Sequence, residues 1–500
     1  MKLNKFFKFP WYVFFLVLYA ILSLLTQNLG QVDSSVVFRS LLVSLAPTYV
    51  AMLLVNISIR DIQQAGLIVA FLAVLFFSYG HVYLAIKNLQ LGEILVGRHR
   101  FLIFVWLLFA VVGVWGILKK QQSETLTGNL NFILFILLLF PLIQITLYEL
   151  KNVDSQSFEN IQRGEPISED LPDVYYIILD AYGRSDVLKE NIGYDNTSFL
   201  NDLEELGFYV ANCSQGNYSN TEISLASSLN FNYLNQLSEE LTAETTDRSL
   251  VWGFVKHNAV LGKFISFGYT IHAFQTEFSI SDVEPVDFLY VAPQRGFNDF
   301  EGLLIQTTAA ILLEDAGLFN KFHFTADDAK YHRTLYTLDR LKEIPQSPGP
   351  NFVFAHILLP HQRFVFGPDG EMELVQKFSS NKAEYYSTES YIRGYKNQAI
   401  YISNTITEIA KEIIESSPTP PVIIIQGDHG PSHFSEADRL GILNAYYFPE
   451  KQVELYPTIT PVNTFRLLFN TYFNEDNPLL DDISVVDPKS WTGGIVDTAV

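Results

Sequence analysis

Cysteine is almost absent from this chain: Cys213 stands alone among 500 residues, so no intramolecular disulfide can form and no disulfide framework marks the compartment. Basic residues are scarce too, with 33 Lys and Arg against 54 Asp and Glu and a formal net charge of −21. A chain of that sign does not neutralise a phosphate backbone, which excludes nucleic acid as a partner but not a small phosphorylated head group held locally. No glycine-rich loop precedes a helix start, which removes the case for a nucleotide-driven enzyme. There is no internal repeat and no low-complexity tract. Lys2, Lys5 and Lys8 resemble a charged leader, yet no small-x-small cleavage pattern follows, so the first apolar run reads as a retained anchor.

The charge that is present is unevenly distributed. Residues 1–150 hold ten Lys and Arg and five Asp and Glu, a net of +5, which leaves −26 for residues 151–500. The front is apolar, with runs at Trp11–Leu25, Ser35–Val55, Ala65–Ile86, Phe101–Leu118 and Phe132–Leu147. Most approach the roughly 20 residues that cross a bilayer, the first being the shortest. Five spans are therefore expected over residues 1–150, then a polar linker over 151–171, then an acidic domain over 172–500. With the amino terminus inside, Lys2, Lys5, Lys8, Arg60, Lys119 and Lys120 are cytoplasmic, while Arg39, Lys87, Arg98 and Arg100 lie outside. That majority makes the protein a multi-pass protein of the plasma (inner) membrane with its acidic domain extracytoplasmic.

Beyond Pro172, apolar strand-like runs alternate with helix-like ones, which implies parallel pairing and an α/β sandwich with a mostly parallel sheet. Strands are expected at Val174–Leu179, Phe208–Val210, Tyr269–Phe274, Asn351–Leu358 and Val422–Ile425, and helices at Asn196–Leu206, from near Ser219, and over Tyr391–Glu415. Two of these strands end on ligating residues. The first closes on Asp180; the last runs through Gln426 and Gly427 into Asp428 and His429. Either Asp alone reads equally as a cap of the following turn or helix. Together, at the carboxyl edge of one parallel sheet, Asp180, Asp428 and His429 give a divalent cation the oxygen and nitrogen ligands it binds.

Between them, Ser219 followed by Glu222 matches a capping box, so a helix is expected there with Thr221 in its first turn. A hydroxyl among unpaired amides at the positive end of a helix can bind phosphate or sulfate oxygens, and a cation beside it would make it a nucleophile. The segment from Phe354 to Phe364 adds His356 and His361, and His433 lies four residues beyond His429; an imidazole at any of these positions suits proton transfer near neutral pH. Arg184 and Asp186 either touch substrate or pair with each other.

This set of motifs, in this order, resembles the membrane-anchored sulfatase-like branch of the alkaline phosphatase superfamily, which includes lipoteichoic acid synthases and lipid A phosphoethanolamine transferases. The resemblance covers residues 172–433 and, more loosely, the anchor. It implies that Asp180, Thr221, Asp428 and His429 ligate one metal, that Thr221 is also the attacking group, and that His356 and His361 line a substrate pocket, bind a second metal or protonate the leaving group. Cys213-Ser214-Gln215-Gly216-Asn217 departs from the sequence in which sulfatases form formylglycine, which argues against that route to sulfate ester hydrolysis. The implied activity is metal-dependent transfer of a phosphorylated alcohol, such as phosphoethanolamine or phosphoglycerol, from a membrane lipid donor to an envelope lipid or glycan through a phospho-threonine. Hydrolysis of a phosphodiester or sulfate ester by the same fold, and a non-catalytic membrane binding protein that keeps the fold, are the alternatives. Asp, Thr and His suit zinc and manganese alike.

Five spans with a cytoplasmic amino terminus put a reporter fused after Val500 outside the cytoplasm. A periplasm-dependent phosphatase fusion should be active there and a cytoplasm-dependent one silent; the opposite pattern would mean an even number of spans or an inverted anchor.

Overall fold

The computed structural model describes residues 8–29, 32, 34–91, 94–95, 97–120, 124–154, 163–165, 171–241, 248–374, 386–449, 453–485 and 495–497. Most of the expected linker over 151–171 lies outside the described residues. The chain divides into two compact units: Met1–Ser155 together with Arg295–Ala329, and Gln156–Gln294 together with Lys330–Val500. Residues 295–329 thus cluster with the amino-terminal unit although they lie within 172–500 in the sequence.

The first unit begins with α1 (Tyr12–Thr26), α2 (Val37–Ile59), α3 (Ile62–Ile86), α4 (His99–Leu118) and α5 (Glu124–Asp154). The last four contain stretches long and apolar enough to cross a membrane. Of the five expected spans, α1 is the exception: apolar, but only 15 residues long, ~23 Å at 1.5 Å per residue. It is nonetheless the packed centre of the unit, since Val13, Val17 and Ile21 are fully buried. The other helices carry many exposed side chains, such as Phe38, Ile57, Phe104, Val111 and Phe132, as lipid-facing helices do.

In the second unit the strands are β1 (Val174–Leu179), β2 (Tyr209–Val210), β3 (Thr270–Phe274), β4 (Phe288–Tyr290), β5 (Asn351–Ile357), β6 (Val422–Gln426) and β7 (Asn444–Tyr447), in the spatial order β2-β7-β6-β1-β5-β3-β4. Strands β6, β1, β5, β3 and β4 are parallel, while β7 runs antiparallel to β6 and β2 antiparallel to β7. The expected mostly parallel sheet is therefore present, with a mixed edge. Its central strands are β-branched or aromatic and buried along their length, the composition of a sheet covered on both faces.

Alternation along each strand separates two cores. Val174, Tyr176, Ile178, Phe352, Phe354, Val422 and Ile424 face one layer, which includes α7 (Thr221–Ser228) and the helix Pro461–Phe473. Tyr175, Ile177, Leu179, Val353, Ala355, Ile423 and Ile425 face the other, formed by α6 (Thr197–Glu205) and by α12, the 29-residue helix Thr388–Ser416. Between α7 and α12 the chain forms α8 (Ser249–Lys256), α9 (Ala259–Ser266), α10 (Asp299–Thr307) and α11 (Ala326–Leu341). The outcome is an α/β/α sandwich in which the ends of β5, β1 and β6 lie side by side.

Helix α12 packs through Tyr391, Tyr395, Ala399, Ile402, Ile406 and Ile413, a stripe at helical spacing. Ile402→Ala at this fully buried position is expected to cost about 2–4 kcal/mol and to lower the thermal unfolding midpoint of the detergent-solubilised protein. Lys411→Ala, which removes only an exposed pairing with Glu415 at 3.9 Å, should leave the midpoint within error.

Candidate metal centre

The site is built from the carboxyl ends of three adjacent parallel strands. Register carries Ile178 opposite His356 on β5 and opposite Gln426 on β6, so Asp180 emerges between His356 on one side and Asp428 with His429 on the other. The ladder continues past the strand: Asp180 N donates to Ile357 O at 2.9 Å and His361 N to Asp180 O at 3.1 Å. On the other side, one oxygen of Asp428 accepts from two backbone amides, Ala181 N and His429 N, each at 2.9 Å. That bifurcated acceptance ties the ends of β1 and β6 together and leaves the second oxygen for the site.

Two close approaches make the turns possible. A Cβ on Gly427 would lie 2.4 Å from Tyr182 O, so only glycine lets the β6 turn pass the β1 turn. Ala181 is left-handed at φ +64°, a conformation that costs an alanine about 1–2 kcal/mol. Tyr395 on α12 holds it, donating its hydroxyl proton to Ala181 O at 2.6 Å and accepting from Gly183 N at 3.2 Å.

Asp180, Asp428 and His429 are all buried, and one ligand atom from each lies within 4.8 Å of the others. His429 Nδ1 faces Gly430 O at 2.7 Å. A carbonyl cannot donate, so Nδ1 carries the proton and Nε2 presents its lone pair, as outer-shell partners of metal-bound histidines arrange. Nε2 lies 3.2 Å from Thr221 Oγ1, 3.7 Å from Asp180 Oδ1 and 3.8 Å from Asp428 Oδ2. Ligand atoms at ~2.0–2.1 Å from one tetrahedral centre are ~3.3 Å apart, so the Thr221 separation matches that value and the two carboxylate separations sit slightly wide of it. Asp180 Oδ1 and Asp428 Oδ2 are buried with no hydrogen-bond partner. Two orphaned carboxylate oxygens and a basic imidazole nitrogen facing one point fit a divalent cation, which would satisfy all three.

Thr221 is the first residue of α7, which starts one residue later than the sequence suggests. The expected capping box does not form: the N-cap is Asn220 without a side-chain cap bond, Ser219 Oγ donates to Glu436 Oε2 at 2.7 Å, and Glu222 pairs with Arg248. The cap is lost because both of its members find tertiary partners. Ser224, one turn after Thr221, anchors the helix by donating to Asp428 O at 2.7 Å. The first amides of α7 have no side-chain cap.

The remaining candidates separate. His356 is buried, with Nε2 3.4 Å from Asp180 Oδ2. His361 is half-buried, its ring centre 6.2 Å from that of His429. His433 is exposed and turned elsewhere, stacked on Tyr391 and 3.3 Å from Thr388 Oγ1; the structure gives no contact between it and the cluster. Arg184 is tied to Asp186 at 2.7 and 2.8 Å and to Ser214 O at 3.0 Å, the self-paired alternative.

Burial alone would raise the Asp180 carboxyl, but His361, His356 and His429 around it reverse the effect and hold it well below the usual carboxylate range. Burial pushes His356 down, yet Asp180 more than compensates and its pKa is raised. For His361 burial wins, helped by Lys330 and His429 against the pull of Asp180, and its pKa is lowered. His361 is therefore neutral near pH 7. Its carbonyl is clamped by Lys330 Nζ at 2.7 Å and Gln398 Nε2 at 3.0 Å. Lys330, Gln398, Tyr395 and Ser224 were not singled out in the sequence. The helical stripe Tyr391, Tyr395, Gln398, Ile402 is the one signal that could have found two of them.

No protein-family model matches the chain, and no curated protein does. Among solved structures it is similar to the zinc-bound carboxy-terminal periplasmic domain of EptC from Escherichia coli, at 12% identity over 66% of this chain and 93% of that one, with a TM-score of 0.44. It is also similar to the integral membrane lipooligosaccharide phosphoethanolamine transferase EptA from Neisseria meningitidis, at 10% identity over 88% and 87% of the two chains and a TM-score of 0.32. A protein of the alkaline phosphatase superfamily from Vibrio parahaemolyticus matches at 9% identity over 66% and 76%, with a TM-score of 0.36. At such distances the chemistry has to be read from this chain's own residues.

Asp428→Ala removes one anionic ligand and the acceptor of two backbone amides. The purified variant should retain less than about a tenth of the divalent metal bound by the wild type, measured by elemental analysis after gel filtration. Equal metal content in the two proteins would remove Asp428 from the ligand set.

Proposed function

We propose that this protein is a metal-dependent transferase that moves a phosphorylated alcohol, of the phosphoethanolamine or phosphoglycerol type, from a membrane lipid to an envelope lipid or glycan. The observation that carries this reading is the Thr221 hydroxyl, 3.2 Å from the lone-pair nitrogen of His429 and beside two orphaned carboxylate oxygens. A hydroxyl so placed at a helix start is a nucleophile rather than a surface threonine. Asp180, Thr221, Asp428 and His429 would hold the cation, zinc or manganese, whose contribution is to lower the hydroxyl's pKa and offset charge on the phosphoryl oxygens.

In the proposed step Thr221 Oγ bonds to phosphorus as the bond to the lipid alcohol breaks. His361 is neutral at rest, so it can take the threonine proton and pass it to the departing oxygen. The uncapped amides of α7 and the site's fixed charges stabilise the developing oxyanion. The acceptor hydroxyl then attacks phosphorus, Thr221 leaves as the hydroxyl, and the covalent link is undone. His433 has no part in this step, since its contacts lie with Thr388 and Tyr391.

Four apolar helices of membrane-spanning length support a lipid donor and a multi-pass protein of the plasma membrane. The distribution of basic residues supports an extracytoplasmic catalytic unit. Water in place of the acceptor would make the same site a phosphodiester hydrolase.

Thr221→Ala tests the covalent route. With wild-type metal content, the variant should lose activity by on the order of 10^3-fold or more, followed as diacylglycerol release from head-group-labelled phospholipid. Wild-type protein should carry the label on residue 221 and turn over only when an acceptor is added. Steady release into water would reassign it as a hydrolase, and undiminished activity in the variant would overturn the threonine mechanism.

A further inference from the structure

Residues 295–329 lie in the sequence between strands of the α/β unit but cluster with the membrane helices. They form α10 (Asp299–Thr307) and two shorter helices, Ile311–Asp315 and Leu318–Lys321. The packing is intimate. Phe300 is fully buried in one core with Val17, Ile21, Leu25 and Val37, and Ile311 is buried with Tyr79 and Leu102. A Cβ on Gly80 of α3 would lie 2.2 Å from Gln306 O, so the backbone of the segment rests directly on that span.

Most of these contacts fall toward one end of the bundle: Leu25 near the end of α1, Val37 at the start of α2, Tyr79 and Gly80 toward the end of α3 and Leu102 near the start of α4. They also reach along it. Ala309 N donates to Phe76 O at 2.8 Å, and Phe76 precedes the end of α3 by ten residues, ~15 Å along the axis. Helix α3 is ~37 Å long against a hydrocarbon layer of ~30 Å, so a centred α3 puts that bond on the order of 10 Å inside the apolar boundary.

Two further features fit a lipid environment. Non-helical backbone at bilayer depth is tolerated only where its polar groups are satisfied within the protein. At the break between the two helices this holds: Thr308 N donates to Ile305 O at 3.2 Å, Ala309 N to Phe76 O, Ala310 N to Thr308 Oγ1 at 3.3 Å and Ile311 N to Thr308 O at 3.3 Å. Glu301 is buried against Arg39, while Asp315, which pairs with His99, and its neighbours Glu314 and Lys321 are exposed, positions that suit the head-group layer. Apolar side chains of the same stretch also point out: Leu313 is 45% exposed, Leu318 41%, Phe322 69% and Phe324 41%.

We propose that residues 299–324 form a re-entrant wedge in one leaflet of the bilayer, with Leu313, Leu318, Phe322 and Phe324 against phospholipid acyl chains. The segment that carries this patch rests directly on the spans α3 and α4, and that placement identifies lipid as its occupant. On the orientation given by the basic residues, the leaflet is the outer one. The inference rests on the membrane reading of the spans and is independent of the chemistry proposed for Thr221.

The test uses the full-length protein carrying Cys213→Ser, with single cysteines introduced by Leu313→Cys, Phe322→Cys, Phe104→Cys on α4 and Lys411→Cys on α12. Each variant is labelled with bimane and reconstituted in phosphatidylcholine vesicles with or without brominated acyl chains. Variants are compared only if they elute as wild type on gel filtration, with Leu318→Cys and Phe324→Cys as replacements. Brominated lipid should quench the labels at 313 and 322 to at least half the extent seen at 104, and leave 411 unchanged. Quenching at 313 and 322 no greater than at 411, with 104 quenched, would overturn the wedge. So would blue-shifted emission there that depends on protein concentration and not on bromination, which would mean a second copy covers the patch. Neither outcome touches the activity assay, so failure of this inference and failure of the transferase reading are separately visible.

Discussion

The carboxylate of Asp428 joins the ends of two parallel strands, and much of the site depends on that junction. One oxygen accepts the amides of Ala181 and His429, which fixes the turn after β1 to the turn after β6. The geometry is available because β1 and β6 are register neighbours and because Gly427 lets the two turns pass. With one oxygen engaged, the other is held in a dry site beside Asp180, where an unpaired charge is costly. The same bonds that stabilise the turns thus create the electrostatic demand that a cation would meet.

Around this junction the α-helical layers act as clamps. Tyr395 secures the strained Ala181 carbonyl, Gln398 and Lys330 secure the carbonyl of His361, and Ser224 draws α7 onto Asp428 O. The nucleophile proposed, Thr221, needs its geometry held to a fraction of an ångström, and a helix anchored one turn away by Ser224 holds it. The charge field has the same origin. Three imidazoles hold the Asp180 carboxyl low, while burial, Lys330 and His429 lower the pKa of His361.

The two units meet different solvents with one chain. In the α/β unit, alternating strand residues are buried on both faces of the sheet. In the membrane unit, many apolar side chains are exposed, and Glu301 is buried against Arg39. Residues 295–329 follow the second rule although they are threaded through the sequence of the first. A composition scan over a whole acidic domain averages them away, whereas the local run from Leu303 to Leu313 is as apolar as a short membrane segment.

Strand ends, apolar runs and charge balance are properties of neighbouring residues, so the sequence by itself determined the central strands, the long helix Thr388–Ser416, four apolar helices of membrane-spanning length, and Asp180, Asp428 and His429 as residues that meet at one edge of the sheet. Thr221 was legible for the same reason, as a hydroxyl at a helix start, although its capping box was not. Ser219 and Glu222 bond instead to Glu436 and Arg248, partners that no local pattern reveals. Tertiary structure alone brought His356 and His361 to Asp180 and turned His433 toward Tyr391. It also paired Arg184 with Asp186 and carried residues 295–329 onto the membrane helices. Each of these depends on which distant segments share a neighbourhood, and that is decided when the whole chain buries its apolar surface, not by the spacing of residues along it.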